Sequence, residues 1–191
     1  MALVSIGVAG ASGYAGQELI RLAARHPFIR VTTAMASGST DGARTLPALT
    51  GVWDGQITPL SLDQLAAETQ AVFMTLPDSV AAEVGPALVA RGVRVFDIGG
   101  TFRLRDRALR HQWYPAAPDL ETPVVYGLTE YYRRELVEAR LVACPGCYPT
   151  AALLALLPGI GDGIVSPRNI SIMAMSGVTG AGRGAKEANL F

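Results

Sequence analysis

Apolar positions along the chain alternate between two rhythms. Short β-branched runs that end on glycine or a polar residue read as buried parallel strands: ALVSIGVA (Ala2 to Ala9), IRVTTAMA (29–36), QAVFMTLP (70–77), VRVFDIGG (93–100) and RLVAC (140–144). Between them lie segments with helical spacing. In YAGQELIRLAARH (14–26), Leu19, Leu22 and Ala23 fall on one face and Glu18, Arg21 and Arg25 on the other. SLDQLAAE opens with a capping-box spacing, Ser61 to Gln64. SVAAEVGPALVARG predicts a helix that tolerates a kink at Pro86, TEYYRRELVEA a further helix, and TAALLALL (150–157) a buried one. Residues 37–60, rich in Gly, Ser, Thr and Pro, predict a long loop, and NISIMAMSG (169–177) a last strand before a glycine-rich end. This βαβ rhythm predicts an α/β fold, a Rossmann-type, mostly parallel sheet with helices on both faces.

Composition narrows the function classes. A chain of 191 residues, 50% hydrophobic, can bury a core for one domain or one domain and part of another. Sixteen basic and sixteen acidic residues balance, so no global field draws in nucleic acid or an anionic membrane. The start, MALVSIGVAGASG, has no basic region and breaks on glycines at once, unlike a signal peptide or a transmembrane helix. Two cysteines with no disulfide framework point to a reducing, cytoplasmic compartment.

The first chemical signal is Gly10-x-x-Gly13-x-x-Gly16, placed directly after the first strand and opening the first helix. Glycines there allow a tight turn and close approach of a pyrophosphate to N–H groups at a helix N-terminus. The loop Gly10, Ser12, Gly13, Tyr14, Ala15, Gly16 is therefore the candidate dinucleotide cradle. No acid closes the second strand to bond a ribose 2′-hydroxyl. Ser37, Ser39, Thr40 and Arg44 stand there instead, donors and a cation suited to a 2′-phosphate, which favours NADP; Asp41 could still swing in.

The second signal is LVACPGCYPT, which holds both cysteines. Two thiols and two distant histidines, His26 and His111, do not make a metal site. Cys144 ends a strand and reads as a small apolar filler. Cys147 precedes a helix whose first turn suits Pro149 and Thr150, so it faces unpaired N–H groups and the positive end of the dipole, where a thiolate is stabilised. The same N–H groups could bind an oxyanion formed on attack at a carbonyl. A dinucleotide site beside an activated cysteine suggests reduction of an acyl phosphate through a thioester. A CPGC disulfide switch and a catalytically silent NADP-binding module are the readings from other classes.

GASGYAGQELIRLAARHP, VACPGCYPTAALLAL and MSGVTGAGR, with DIGGTFRL and VVYGLTE between them, together resemble the N-acetyl-gamma-glutamyl-phosphate reductases of the semialdehyde dehydrogenase superfamily, NADPH-dependent enzymes of arginine biosynthesis. The resemblance implies Cys147 as the thioester-forming nucleophile, and Ser176, Gly177, Gly180 and Gly182 on the NADP side of the cleft. It implies Arg103 for the acyl-phosphate group, with Arg183 in a similar role, and Glu130 for orienting substrate; a guanidinium fork suits phosphate. Implied partners are a small acyl phosphate or semialdehyde and phosphate, in a homo-oligomer when full length. Implied domains are dinucleotide-binding over 1–146 and the start of an α+β catalytic domain over 147–191. The family's catalytic histidine lies in a stretch that would follow Phe191, so the chain reads as a fragment. Thr101 departs from a common acid, Thr179 from serine, and Cys144 from valine or asparagine. A paralogous reductase of an aminoadipate or aspartyl substrate would use the same Cys147.

Overall fold

The structure, a computed structural model, describes residues 3–38, 42–115, 119 and 123–182. Seven strands form one sheet: β1 (Val4–Ala9), β2 (Ile29–Ala36), β3 (Ile57–Pro59), β4 (Ala71–Met74), β5 (Arg94–Asp97), β6 (Val124–Tyr126) and β7 (Leu141–Ala143). Their order is β3-β2-β1-β4-β5-β7-β6 and every pairing is parallel. The chain reverses direction across the sheet between β1 and β4, the switch point where such sheets open a crevice at their strand C-termini.

Strand periodicity explains how both faces are covered. In β1 and β4, Ile6, Val8 and Ala71 point one way, while Ala9, Val72 and Met74 point the other. The second face packs under α2 (Leu62–Glu68) and α3 (Asp78–Ala90) through Leu65, Val84 and Leu88. The first packs under α1 (Tyr14–Ala23), whose Ile20 is fully buried beside Leu49 and Ile57. Ser61 caps α2 by accepting the Gln64 N–H at 3.3 Å, as its spacing predicts.

Four expectations are corrected. Residues 37–60 contain β3 and a single 3₁₀ turn, Pro47–Leu49, because Leu49 and Ile57 supply the apolar anchors that hold the segment on the sheet edge. Leu22 is exposed; the buried face of α1 is Gly16, Gln17, Ile20 and Ala23. The helix over TAALLALL, α6 (Cys147–Gly161), buries none of its residues, since among the described residues it is covered on only part of its surface. NISIMAMSG forms no strand: Asn169 has φ +59°, and the segment has no neighbour to complete a ladder among the described residues. One further helix appears, α4 (Arg107–Trp113), capped by Asp106 accepting from Leu109 N–H at 2.8 Å, while α5 (Thr129–Glu138) stands where TEYYRRELVEA predicts one.

Candidate active site

The glycine turn lies at the C-terminal end of β1. Gly10 has φ +95°, which only glycine adopts without strain, and a Cβ there would sit 2.5 Å from the Thr75 carbonyl oxygen. The N–H groups of Gly10 and Ala11 both donate to Met35 O, at 2.8 and 2.9 Å, so the end of β2 fixes the turn. Thr75, just beyond β4, donates its N–H to Ala9 O and its hydroxyl to Gly10 O, at 2.8 and 2.9 Å. Gln17, buried on α1, donates to Ser12 O at 2.8 Å. Sequence reasoning missed both residues. Their signals were a threonine closing an apolar strand at the switch point and an amide on the buried face of a helix.

Gly13 is the N-cap of α1 and no side chain caps that end. The first-turn N–H groups of a helix lack intrahelical partners, which makes this end an anion cradle. A Cβ built on Gly13 would meet only Gly10 O, at 3.4 Å. The turn therefore fits a pyrophosphate. Ser37 and Arg44 are exposed beyond β2, and the Arg44 backbone pairs with Ile57 at 2.7 and 3.0 Å. Ser39 and Arg183 lie outside the described residues.

The second centre lies at the C-terminal end of β7, on the same rim. Cys144 N–H donates to Asp97 O at 2.8 Å, Pro145 and Gly146 turn the chain, and Cys147 is the first residue of α6. Thr150 closes the turn by donating its N–H and its hydroxyl to Gly146 O, at 2.9 and 2.8 Å. Cys147 is exposed and Cys144 is half-buried; neither is in a disulfide. Burial pushes the Cys144 thiol up to about 11, with the Asp97 carboxylate adding to that and the Arg103 guanidinium opposing it. A thiol held protonated is a poor nucleophile, and this sets half-buried Cys144 apart from exposed Cys147. Iodoacetamide at neutral pH is expected to label Cys147 and leave Cys144 unmodified, read by peptide mass spectrometry. Equal labelling would refute the separation.

Cys147, Tyr148, Ala151 and Ala152 of α6 face Ile172 to Ser176 across a cleft of about 510 Å³. Ser176 thus shares a cleft with Cys147, and Gly177, Gly180 and Gly182 follow around the 3₁₀ turn Val178–Ala181. Arg103 approaches from the loop after β5. Its Nε donates to Cys144 O and its Nη2 to Ile98 O, both at 2.8 Å, and a Cβ on Gly146 would lie 3.0 Å from its Nη1. Two donors of the fork are thus committed to the main chain, and the Nη1 edge faces the start of α6. Glu130 is an exposed acid in the first turn of α5. It stands near the same rim, because Gly127 N–H donates to Ala143 O at 2.8 Å. His26 accepts from Phe28 N–H at 3.2 Å and His111 pairs with Asp119 at 3.3 Å, so both are engaged elsewhere. Thr101, fully buried, donates to Asp78 Oδ1 at 3.0 Å, a place where an acid would face another carboxylate.

Among the described residues no cluster of His, Cys, Asp and Glu could hold a metal, and no helix is long and apolar enough to cross a membrane.

The family model described as "Semialdehyde dehydrogenase, NAD binding domain" matches residues 5–139, and "Semialdehyde dehydrogenase, dimerisation domain" matches residues 147–191. The chain is 43% identical over 194 residues to an N-acetyl-gamma-glutamyl-phosphate reductase of Halorhodospira halophila, covering 99% of this chain and 56% of that protein. It is 40% identical to the Brevibacillus brevis protein of the same name, covering 95% of this chain and 54% of that one. The chain thus spans about half the length of the relatives it matches. An aspartate semialdehyde dehydrogenase II from Vibrio cholerae superposes with TM-score 0.58 at 15% identity, covering 84% of this chain and 47% of that one. An aspartate semialdehyde dehydrogenase with NADP from Candida albicans gives 0.54 at 18%, covering 85% and 48%. At such identities these two likenesses concern the fold.

Proposed function

This chain belongs to the semialdehyde dehydrogenase family, and from that premise we propose that it carries the NADP site and the nucleophile of an N-acetyl-gamma-glutamyl-phosphate reductase. The observation that carries the reading is an exposed Cys147 at the first position of α6, in a cleft with Ser176, on the rim that also holds the uncapped glycine turn.

Cys147 Sγ attacks the acyl carbon of the acyl phosphate; the new C–S bond replaces the C–O bond and phosphate leaves with its electron pair. N–H groups of the first turn of α6 face the oxygen that gains charge in that attack. The Nη1 edge of Arg103 is placed for the departing phosphate, and Glu130 for orienting the substrate. The nicotinamide cofactor, when bound, supplies the hydride that reduces the thioester to the aldehyde. Gly10, Ser12, Gly13, Tyr14, Ala15 and Gly16 hold its pyrophosphate. Ser37, Ser39 and Arg44 select the 2′-phosphate of NADP, and Ser176, Gly177, Gly180 and Gly182 close the cofactor side of the cleft. Residues 1–146 form the dinucleotide domain and 147–191 begin the catalytic domain. The working protein is a homo-oligomer in the cytoplasm, where a free thiol stays reduced.

The test is an assay of NADPH oxidation with three acyl phosphates. N-acetyl-glutamyl phosphate is expected to be reduced fastest, with NADPH preferred to NADH. A preference for the aspartyl or aminoadipyl analogue would reassign the substrate, and no acylation of Cys147 by any of them would overturn the reading.

A further inference from the structure

We propose that Asp97 is a positioning residue for Cys147, its buried carboxylate setting how the Arg103 guanidinium presents its charge to the turn that opens α6. The proposal rests on Cys147 being the working thiol.

Asp97 ends β5 at the centre of the rim and is fully buried. Its Oδ1 accepts the Gly99 N–H at 3.1 Å and the Phe102 backbone N–H approaches the carboxylate, while its buried Oδ2 makes no hydrogen bond of good geometry. An unpartnered carboxylate oxygen away from water is costly, so the site calls for an electrostatic account. The geometry supplies one. The Gly99 bond shapes the loop that turns back to Arg103, and the Asp97 carbonyl accepts from Cys144 N–H. Arg103 then holds the carbonyls of Ile98 and Cys144, the peptide groups on either side of that contact. One guanidinium and one carboxylate thus lie around the backbone that leads into Gly146 and Cys147.

The charged and titratable groups facing Asp97 are Arg103, Asp78 at the start of α3 and Cys144 at the end of β7. Arg103 also faces Tyr126, whose hydroxyl burial holds above its usual range. Burial raises the Asp97 carboxyl to about 6, against the Gly99 hydrogen bond and the Arg103 charge. Near neutrality the carboxylate is ionised and offsets the guanidinium. Below that range it is neutral, and the full positive charge of Arg103 acts on the thiolate of Cys147.

The experiment measures the rate of iodoacetamide alkylation at Cys147 against pH, in the full chain without substrate. The wild type is expected to show an inflection near pH 6, where Asp97 changes charge. Asp97→Asn keeps an acceptor for Gly99 and removes the charge. It should abolish the inflection and raise the rate above that pH by about threefold, the size of one screened charge at this range. In an Arg103→Gln background the inflection should move to higher pH, because the guanidinium no longer holds the Asp97 carboxyl down. A wild-type profile without the inflection overturns the proposal, and needs no variant to fold. An inflection that stays at the same pH in Arg103→Gln overturns it too, because Asp97 and Arg103 would then not sense each other. The readout needs neither acyl phosphate nor NADPH, so failure of the reductase assay and failure of this test are separate results.

Discussion

Cys147→Ser is expected to slow acylation of the protein by the acyl phosphate by about 10⁴-fold or more, the scale seen when a covalent nucleophile is removed. A serine hydroxyl is not ionised near neutrality, and the two histidines are engaged elsewhere: His26 and His111 are bonded to Phe28 N–H and Asp119. The loss should be specific. Cys147 is exposed at the first position of α6, and the Gly146–Thr150 contacts that shape the turn do not use its sulfur. NADPH affinity and melting temperature should therefore stay at wild-type values. Cys144→Ser is the companion variant. Its thiol is half-buried and held protonated beside Asp97, so its removal should cost no more than a few-fold in rate. Equal loss in both variants would mean that the two sulfurs work together, and the disulfide switch would replace the reductase.

Much of this site was legible because its residues announce themselves by type and place. Glycines after a first apolar strand, and a cysteine before an apolar helix, carry their meaning locally. The same holds for β1, β2, β4, β5 and β7, whose apolar runs each carry buried positions of the core. What the sequence hid depends on partners far along the chain. β3 is three residues with a terminal proline at a sheet edge, and only Ile57 marks it as anchored. Leu22 lost its place in the core to Gln17, because the amide of Gln17 ties the glycine turn and draws the helix round. NISIMAMSG has a strand's composition, but a strand also needs a neighbour. α4 was masked by its charges, although Arg110 is buried on it. Asp97 and Arg103 meet Cys144 only because β5 lies beside β7, an adjacency set by topology.

Two glycines of the first turn separate folding from cofactor binding, and their alanine variants should fail in different ways. A Cβ at Gly16 would stand 2.4 Å from Gly10 O and 2.8 Å from Ala11 Cα. Both are backbone atoms, so α1 must lift from the turn, and with it Ile20 and Ala23 from the sheet. Overpacking of this kind costs about 3 kcal/mol, enough to lower the melting temperature by several degrees. At Gly13 the backbone has φ −73° and ψ 167°, which alanine accepts, and the added methyl would meet Gly10 O at an ordinary 3.4 Å. Gly13→Ala should therefore melt within about 1 kcal/mol of wild type. Its methyl, however, stands at the mouth of the uncapped helix, where a pyrophosphate must approach the backbone. NADPH affinity should fall on the order of 100-fold, or about 2.7 kcal/mol, as read by fluorescence titration beside calorimetry. A folded Gly13→Ala protein that binds NADPH as tightly as wild type would place the pyrophosphate elsewhere and leave the glycines as a packing device alone.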